Sequence, residues 1–345
     1  MKYRLYTTSH KAWDAMFKAM VKAEQAIYLE MYILSSNTSK THNFFKLLED
    51  KARSGVEVVV IADAYGSFNL PNELIKSLRQ AGAEFIYFSH WLRRTHRKIL
   101  IVDYKVAFLG GVNIREDIRN WRDMQIKISG GVVKFILKSF ANSYKRVGGK
   151  KQNILKFSYT PFSKKIKYWV TDNWPSTNKI RFLNNYYLQK VNDATSSLVL
   201  VTPYLLPPRW LLVAIDEACH RGVKVEVVIP GDTDIKFLNK INLFNAHRLA
   251  NIGVKLYFTP TMNHAKLMLL DDAEVTIGSQ NIDILSFGLN FEAGISSRQI
   301  KLVNDVKMII NNWKKEAKPF SGNLYRLNLL DRILFGVYKV FYPIF

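Results

Sequence analysis

A chain of 345 residues is long enough for two domains with cores of their own, and 48% hydrophobic against 23% charged residues excludes a disordered or fibrous protein. Fifty Lys and Arg against 28 Asp and Glu leave a net charge of +22, beyond what solubility needs, which points to a polyanionic partner: nucleic acid or an anionic membrane surface. The lone cysteine, Cys219, excludes an internal disulfide and fits a reducing compartment; with no CxxC, HExxH or EF-hand pattern, neither a metal nor another cofactor is expected.

The opening stretch, MKYRLYTTSHKAWDAMFKAM, lacks the apolar run of a signal peptide. Ser9 is placed to cap a helix over 11–23 whose inner face carries Trp13, Met16, Phe17 and Met20. Residues 26–34 read as a strand and 42–54 as a helix; 56–63 is a nearly continuous apolar strand suited to a sheet covered on both faces. A helix over 72–81 and a strand over 84–88 lead to two apolar runs, 99–102 and 106–109, joined by a tight turn. A strand at 125–129 and a helix at 132–144 complete an α/β alternation, which predicts a mixed sheet between layers of helices. The second half reads alike, with helices near 184–194, 209–221, 239–252 and 299–315 and strands near 197–203, 223–229 and 254–258.

Two segments stand apart. Between Lys145 and Arg181 the chain carries ten Lys or Arg against one acid, Asp172, interleaved with Phe157, Tyr159, Phe162, Tyr168, Trp169 and Trp174. A solvated linker has this composition. So does a surface that meets anionic headgroups, and basic residues mixed with aromatics also suit single-stranded nucleic acid. In the tail, 322–345, Leu327, Leu330, Leu334, Val337 and Phe341 fall on one helical face, and Arg326, Asp331, Arg332 and Lys339 interrupt any membrane span. The tail reads either as an interfacial amphipathic helix or as a terminal helix packed on the body. The expected organisation is a first domain over 1–150, a basic aromatic linker over 151–181, a second domain over 182–320 and the tail over 321–345.

The chemistry is concentrated in His96-Arg97-Lys98, four residues, then Asp103, followed by Gly110-Gly111-x-Asn113. Side chains alternate along a strand, so His96 and Lys98 share a face while Asp103 has the opposite parity and a supporting place behind it. A lysine attracts a phosphate, and a histidine beside it can attack the phosphorus or pass protons. The pattern recurs as His264-Ala265-Lys266, four residues, Asp271, then Gly278-Ser279-Gln280-Asn281, at one constant offset (264 − 96 = 168). A repeat of near half the chain length indicates two copies of one domain and suggests a single site assembled from both. The other histidines, His10, His42, His90, His220 and His247, have no repeated partner and read as structural or exposed.

This doubled H-x-K-x-x-x-x-D with its trailing Asn resembles the phospholipase D superfamily over residues 25 to 315. The flanks Glu30-Met31-Tyr32, Thr202-Pro203-Tyr204 and Asn290-Phe291-Glu292 are most similar to bacterial cardiolipin synthases. The resemblance implies two similar α/β/α sandwich domains with mixed sheets, related by a pseudo-twofold axis and sharing one active site. It implies catalytic roles for His96, Lys98, Asp103, His264, Lys266 and Asp271, with Asn113 and Asn281 binding the substrate phosphate. One histidine, by preference His96, attacks phosphorus and the other protonates the leaving alcohol. Asp123, 27 residues after His96, and Glu292, 28 after His264, are the acceptors expected to orient the histidines (123 − 96 and 292 − 264). The implied reaction is phosphatidyl transfer to an alcohol, cardiolipin synthesis first, with hydrolysis as its variant when water accepts. The alternatives are a metal-independent phosphodiesterase acting on nucleic acid and a non-catalytic polyanion binder. Many cardiolipin synthases begin with membrane-spanning helices that this sequence does not show. The expected partner is therefore an anionic phospholipid membrane, met peripherally from the cytoplasmic face through the linker and tail.

Overall fold

The computed structural model describes residues 1–159, 168–173 and 182–321. The chain forms two compact units, the first of residues 1–172 together with 291–295, the second of 173–290 with the chain from 296 onward. The first unit opens with β1 (Lys2–Thr8), a strand without a forecast, and α1 (Ser9–Val21). It continues through β2 (Ala26–Met31), α2 (Phe44–Arg53), β3 (Glu57–Asp63), α3 (Asn72–Gln80), β4 (Glu84–Phe88), β5 (Lys98–Val102), β6 (Val106–Gly110), β7 (Arg122–Ser129) and α4 (Val133–Arg146). Its seven strands lie in the order β1-β7-β6-β5-β2-β3-β4. β2, β3 and β4 run parallel, whereas β5, β6 and β7 are antiparallel neighbours, so the sheet is mixed.

Every residue of β2 and β5 is buried, as a sheet covered on both faces requires. Ile27, Leu29, Met31, Leu100 and Val102 join Trp13, Met16, Phe44 and Leu48 in one core cluster on the side of α1 to α3. Lys98 shares the parity of Leu100, which sets its side chain on that face. α4 packs on the opposite face, where Phe140 stacks on Tyr28 at 5.1 Å. The segment expected to begin the linker belongs to the first unit: α5 (Gln152–Leu155) packs on α4 and buries Ile154. β8 (Tyr168–Asn173) follows. The rest of the linker expectation, 160–167 and 174–181, and the tail, 322–345, lie outside the described residues.

The second unit contains α6 (Phe182–Asp193), β9 (Ser197–Val201), β10 (Leu205–Leu206), α7 (Arg209–His220), β11 (Lys224–Pro230), α8 (Lys236–Asn251), β12 (Lys255–Thr259), β13 (Leu267–Leu270) and β14 (Glu274–Gly278). β15 (Ile282–Asp283), α9 (Ile284–Gly288), β16 (Glu292–Ser297), α10 (Ile300–Glu316) and β17 (Lys318–Pro319) complete the described chain. Its sheet runs β17-β12-β11-β9-β13-β14-β16-β8, with β8 in the edge place that β1 takes in the first. With β16 for β7, β14 for β6, β13 for β5 and β9-β11-β12 for β2-β3-β4, the same strand order occurs twice. The repeat read from the motifs is thus a repeat of topology. Among the described residues no helix is long and apolar enough to cross a membrane.

Candidate active site

His96 stands two residues before β5 and is 7% exposed. Its backbone N–H donates to the carbonyl of Phe291 at 2.9 Å, and the N–H of Phe291 donates to the carbonyl of Arg94 at 2.8 Å, so residues 291–295 clamp the loop that carries the histidine. This clamp delivers Glu292. Both carboxylate oxygens of Glu292 lie 3.0 Å from Nδ1 of His96. A carboxylate accepts, so Nδ1 carries the hydrogen and Nε2 keeps its lone pair for an electrophile. The spacing had assigned Glu292 to His264 and Asp123 to His96. The structure corrects that assignment for His96: residues 291–295 group with the first unit, although β16 is hydrogen-bonded into the second sheet.

Around His96 the first unit places two further groups. The Tyr32 ring meets the imidazole edge-on, with centroids 4.8 Å apart, and the Lys98 ammonium lies 5.0 Å from the same tyrosine's centroid. Burial pushes the Tyr32 hydroxyl up to about 12, helped by Asp63 and opposed by Arg94, so it stays protonated at neutral pH. Sequence reasoning used Tyr32 only as a family flank. Its position after β2, the strand paired with β5, was the available signal. Lys98, 1% exposed, also donates to the carbonyl of His96.

Two carboxylates hold the residue before the histidine. Asp63 accepts from the N–H of Thr95 at 2.8 Å, and Glu30 accepts from the Thr95 hydroxyl at 2.6 Å. Glu30 also faces the Arg97 guanidinium at 3.6 Å, both side chains being 1% exposed, and Arg97 donates in turn to Ser139 and Ser143 on α4. Sequence reasoning passed over Arg97. Its parity is opposite to that of His96, which sends it to the α4 face, where it anchors the strand from behind.

Asn113 is buried, its carbonyl accepting from Trp13 Nε1 at 2.8 Å and its Oδ1 from the N–H of Ile33 at 3.2 Å. Those bonds fix the amide so that the NH₂ group is the end available to donate. Asp123 accepts from the N–H of Met124 at 2.6 Å and lies so close to the backbone that a Cβ at Gly111 would come within 2.1 Å of its Oδ1. Gly111 is therefore glycine for lack of room.

The second unit repeats the pattern by itself. His264 is 4% exposed, Lys266 donates to its carbonyl, and the Tyr204 ring lies edge-on with centroids 6.5 Å apart. The Tyr204 hydroxyl donates to Asp234 at 2.6 Å. Asn281 is buried, and its N–H donates to the Ser286 hydroxyl at 3.1 Å.

Asp103 and Asp271 were expected among the catalytic groups, and the structure places both in turns. Asp103 follows the last residue of β5, some five residues or about 16 Å from Lys98 at the first. It adopts a φ of 50° and accepts from the backbone N–H groups of Glu24, Gln25 and Ala26. Asp271 has a φ of 49° and accepts from the N–H groups of Thr195, Ser196 and Ser197. Each carboxylate ties the far end of its hairpin to the start of the neighbouring strand.

A family model described as "Cardiolipin synthase, PLD-like domain" matches residues 16–134 and 187–314. The chain belongs to that family. A cardiolipin synthase of Clostridium perfringens is 32% identical over 315 residues, which cover 84% of this chain and 66% of that protein. A probable cardiolipin synthase of Bacillus subtilis is 26% identical, covering 95% of this chain and 69% of its own length. The chain thus spans just under two thirds of the C. perfringens relative. Among solved structures, the phosphatidylserine synthase of Haemophilus influenzae superposes with a TM-score of 0.76 over 98% of this chain and 93% of that one; at 14% identity the likeness is one of fold. The family matches fall on both copies of the His-x-Lys motif.

Proposed function

We propose that the chain transfers phosphatidyl groups between phospholipids through a phosphohistidine, forming cardiolipin when the acceptor is the glycerol headgroup of a second phospholipid. The observation that carries this reading is the Glu292–His96 pair. It holds a histidine in the tautomer that leaves Nε2 nucleophilic, beside a buried lysine. The second copy supplies the complement: His264, Lys266 and Asn281. The likeness to cardiolipin synthases supports lipid as the substrate class.

In the proposed reaction the Nε2 lone pair of His96 attacks phosphorus, and the bond from phosphorus to the leaving alcohol oxygen breaks. His264 gives that oxygen its proton, an assistance worth roughly 10²–10⁴-fold. The acceptor hydroxyl then returns a proton to His264 as its oxygen attacks phosphorus, the P–N bond breaks, and both histidines are restored. Lys98 and Lys266 neutralise the non-bridging oxygens while Asn113 and Asn281 donate to them. Asp123 is the second candidate for orienting a histidine.

The membrane is met peripherally, at its cytoplasmic face. Lipid extracts from cells expressing the chain, compared with a His96→Ala control, test the function. Cardiolipin rising at the expense of phosphatidylglycerol, only with the native chain, is expected. Unchanged cardiolipin, phosphatidylglycerol and phosphatidic acid would refute it.

A further inference from the structure

Four large apolar side chains of the first unit stand in solvent on two loops: Tyr65 (64% exposed) and Phe68 (73%) after β3, Trp91 (86%) and Leu92 (58%) after β4. The two loops are one surface. The Arg94 guanidinium lies 4.5 Å from the Tyr65 ring centroid and donates to the carbonyls of His90, Trp91 and Arg93, tying the second loop's tip to the first. Asp63 braces both from below, accepting from the N–H groups of Tyr65, Gly66 and Thr95. A folded chain rarely leaves so many large apolar groups together in water without a use for them.

We propose that this loop pair is the membrane-docking surface of the enzyme, with Trp91, Leu92, Phe68 and Tyr65 entering the headgroup region of an anionic phospholipid bilayer. Tryptophan and tyrosine favour that depth because their rings are apolar at one end and polar at the other. Arg93 and Arg94 adjoin the apolar tip and suit acidic headgroups. Arg93 is also close enough to Arg146 to help burial in depressing that guanidinium's basicity, so the flank concentrates positive charge. The tip ends four residues before His96, so docking there delivers headgroups to the nucleophile.

Exposed aromatics also suit single-stranded nucleic acid, but base stacking has no use for an aliphatic tip. The second unit, taken alone, also pairs an exposed aliphatic with an exposed aromatic: the segment after β11 exposes Ile235 (48%) and Phe237 (57%) on either side of Lys236.

This surface deepens the lipid reading above and rests on it. The test uses the full chain with sedimented vesicles of phosphatidylglycerol or of phosphatidylcholine, against the double variant Trp91→Glu, Leu92→Glu. Partition onto phosphatidylglycerol vesicles should fall roughly tenfold or more, and the ratio of turnover on vesicles to turnover on dispersed short-chain phospholipid should fall in parallel. Vesicles with brominated acyl chains provide a measurement on the native fold: they should quench a fluorescence component that Trp91→Phe removes. Unchanged partition together with absent quenching overturns the proposal, as does loss of oligonucleotide binding in place of vesicle binding. A native chain that docks normally, in cells whose lipids never change, would count against phosphatidyl transfer and leave the surface standing.

Discussion

Glu292 presents both carboxylate oxygens to Nδ1 of His96 at 3.0 Å, although 196 residues separate them in the chain. The pair decides which ring nitrogen of His96 carries the hydrogen. Glu292→Gln keeps the shape but removes the charge that stabilises the imidazolium, and its amide can turn an N–H toward the ring. Transfer should fall by roughly 10²–10⁴-fold with little change in KM. Steady-state rates of purified variants check this, and a Glu292→Gln rate near the native one would remove Glu292 from the site.

Asp103 and Asp271 should be matters of stability rather than chemistry. Asp271→Ala leaves three backbone N–H groups of residues 195–197 without their acceptor. The expected cost is about 1–3 kcal/mol. Thermal melts should show it, while the rate per folded molecule stays within a few-fold of native. A normal melting temperature with abolished turnover would return Asp271 to the catalytic set.

The same aspartate predicts a response to acid. Burial pushes its carboxyl up, but the N–H groups of Ser197, Ser196 and Thr195 together outweigh that and hold it at about 2, below its ordinary 3.8. Its pKa is depressed by folding, so its stabilisation is fully present above pH 4 and is lost as the pH falls toward 2. Asp271→Asn should abolish that part of the acid slope, measured as the difference in denaturation midpoint between pH 5 and pH 2.5. An identical slope in both proteins would contradict the assignment.

Arg97 and Glu30 form a buried pair behind His96, and the second repeat has Ala265 and Val201 at the corresponding positions. Arg97→Ala strands the Glu30 carboxylate and should destabilise the first unit by about 3–5 kcal/mol. The double variant Glu30→Val, Arg97→Ala copies the second repeat's solution and should recover part of that loss. Chemical denaturation of the three chains checks it. A double variant no more stable than Arg97→Ala would show that the pair is not the energetic unit.

What the sequence determined by itself was the repeat and the chemistry class. A constant offset between two His-x-Lys motifs is a covalent fact, and strand alternation then puts His96 with Lys98 and sends Asp103 elsewhere. The buried strands were legible because β2 and β5 are covered on both faces, which leaves an apolar run in the sequence. β1 was not, because a strand at the sheet's edge need not be apolar throughout: Lys2 and Arg4 stand exposed. The exposed tip at Trp91 and Leu92 carries the same residue types as a core, so only its solvent exposure distinguishes it. The partner of His96 was decided by tertiary structure alone. Spacing within a repeat assigns Glu292 to His264 because it assumes that each copy folds on its own residues. The chain instead returns residues 291–295 to the first unit, where the Phe291 N–H donates to Arg94 and the Phe291 carbonyl accepts from His96, setting the carboxylate against the ring.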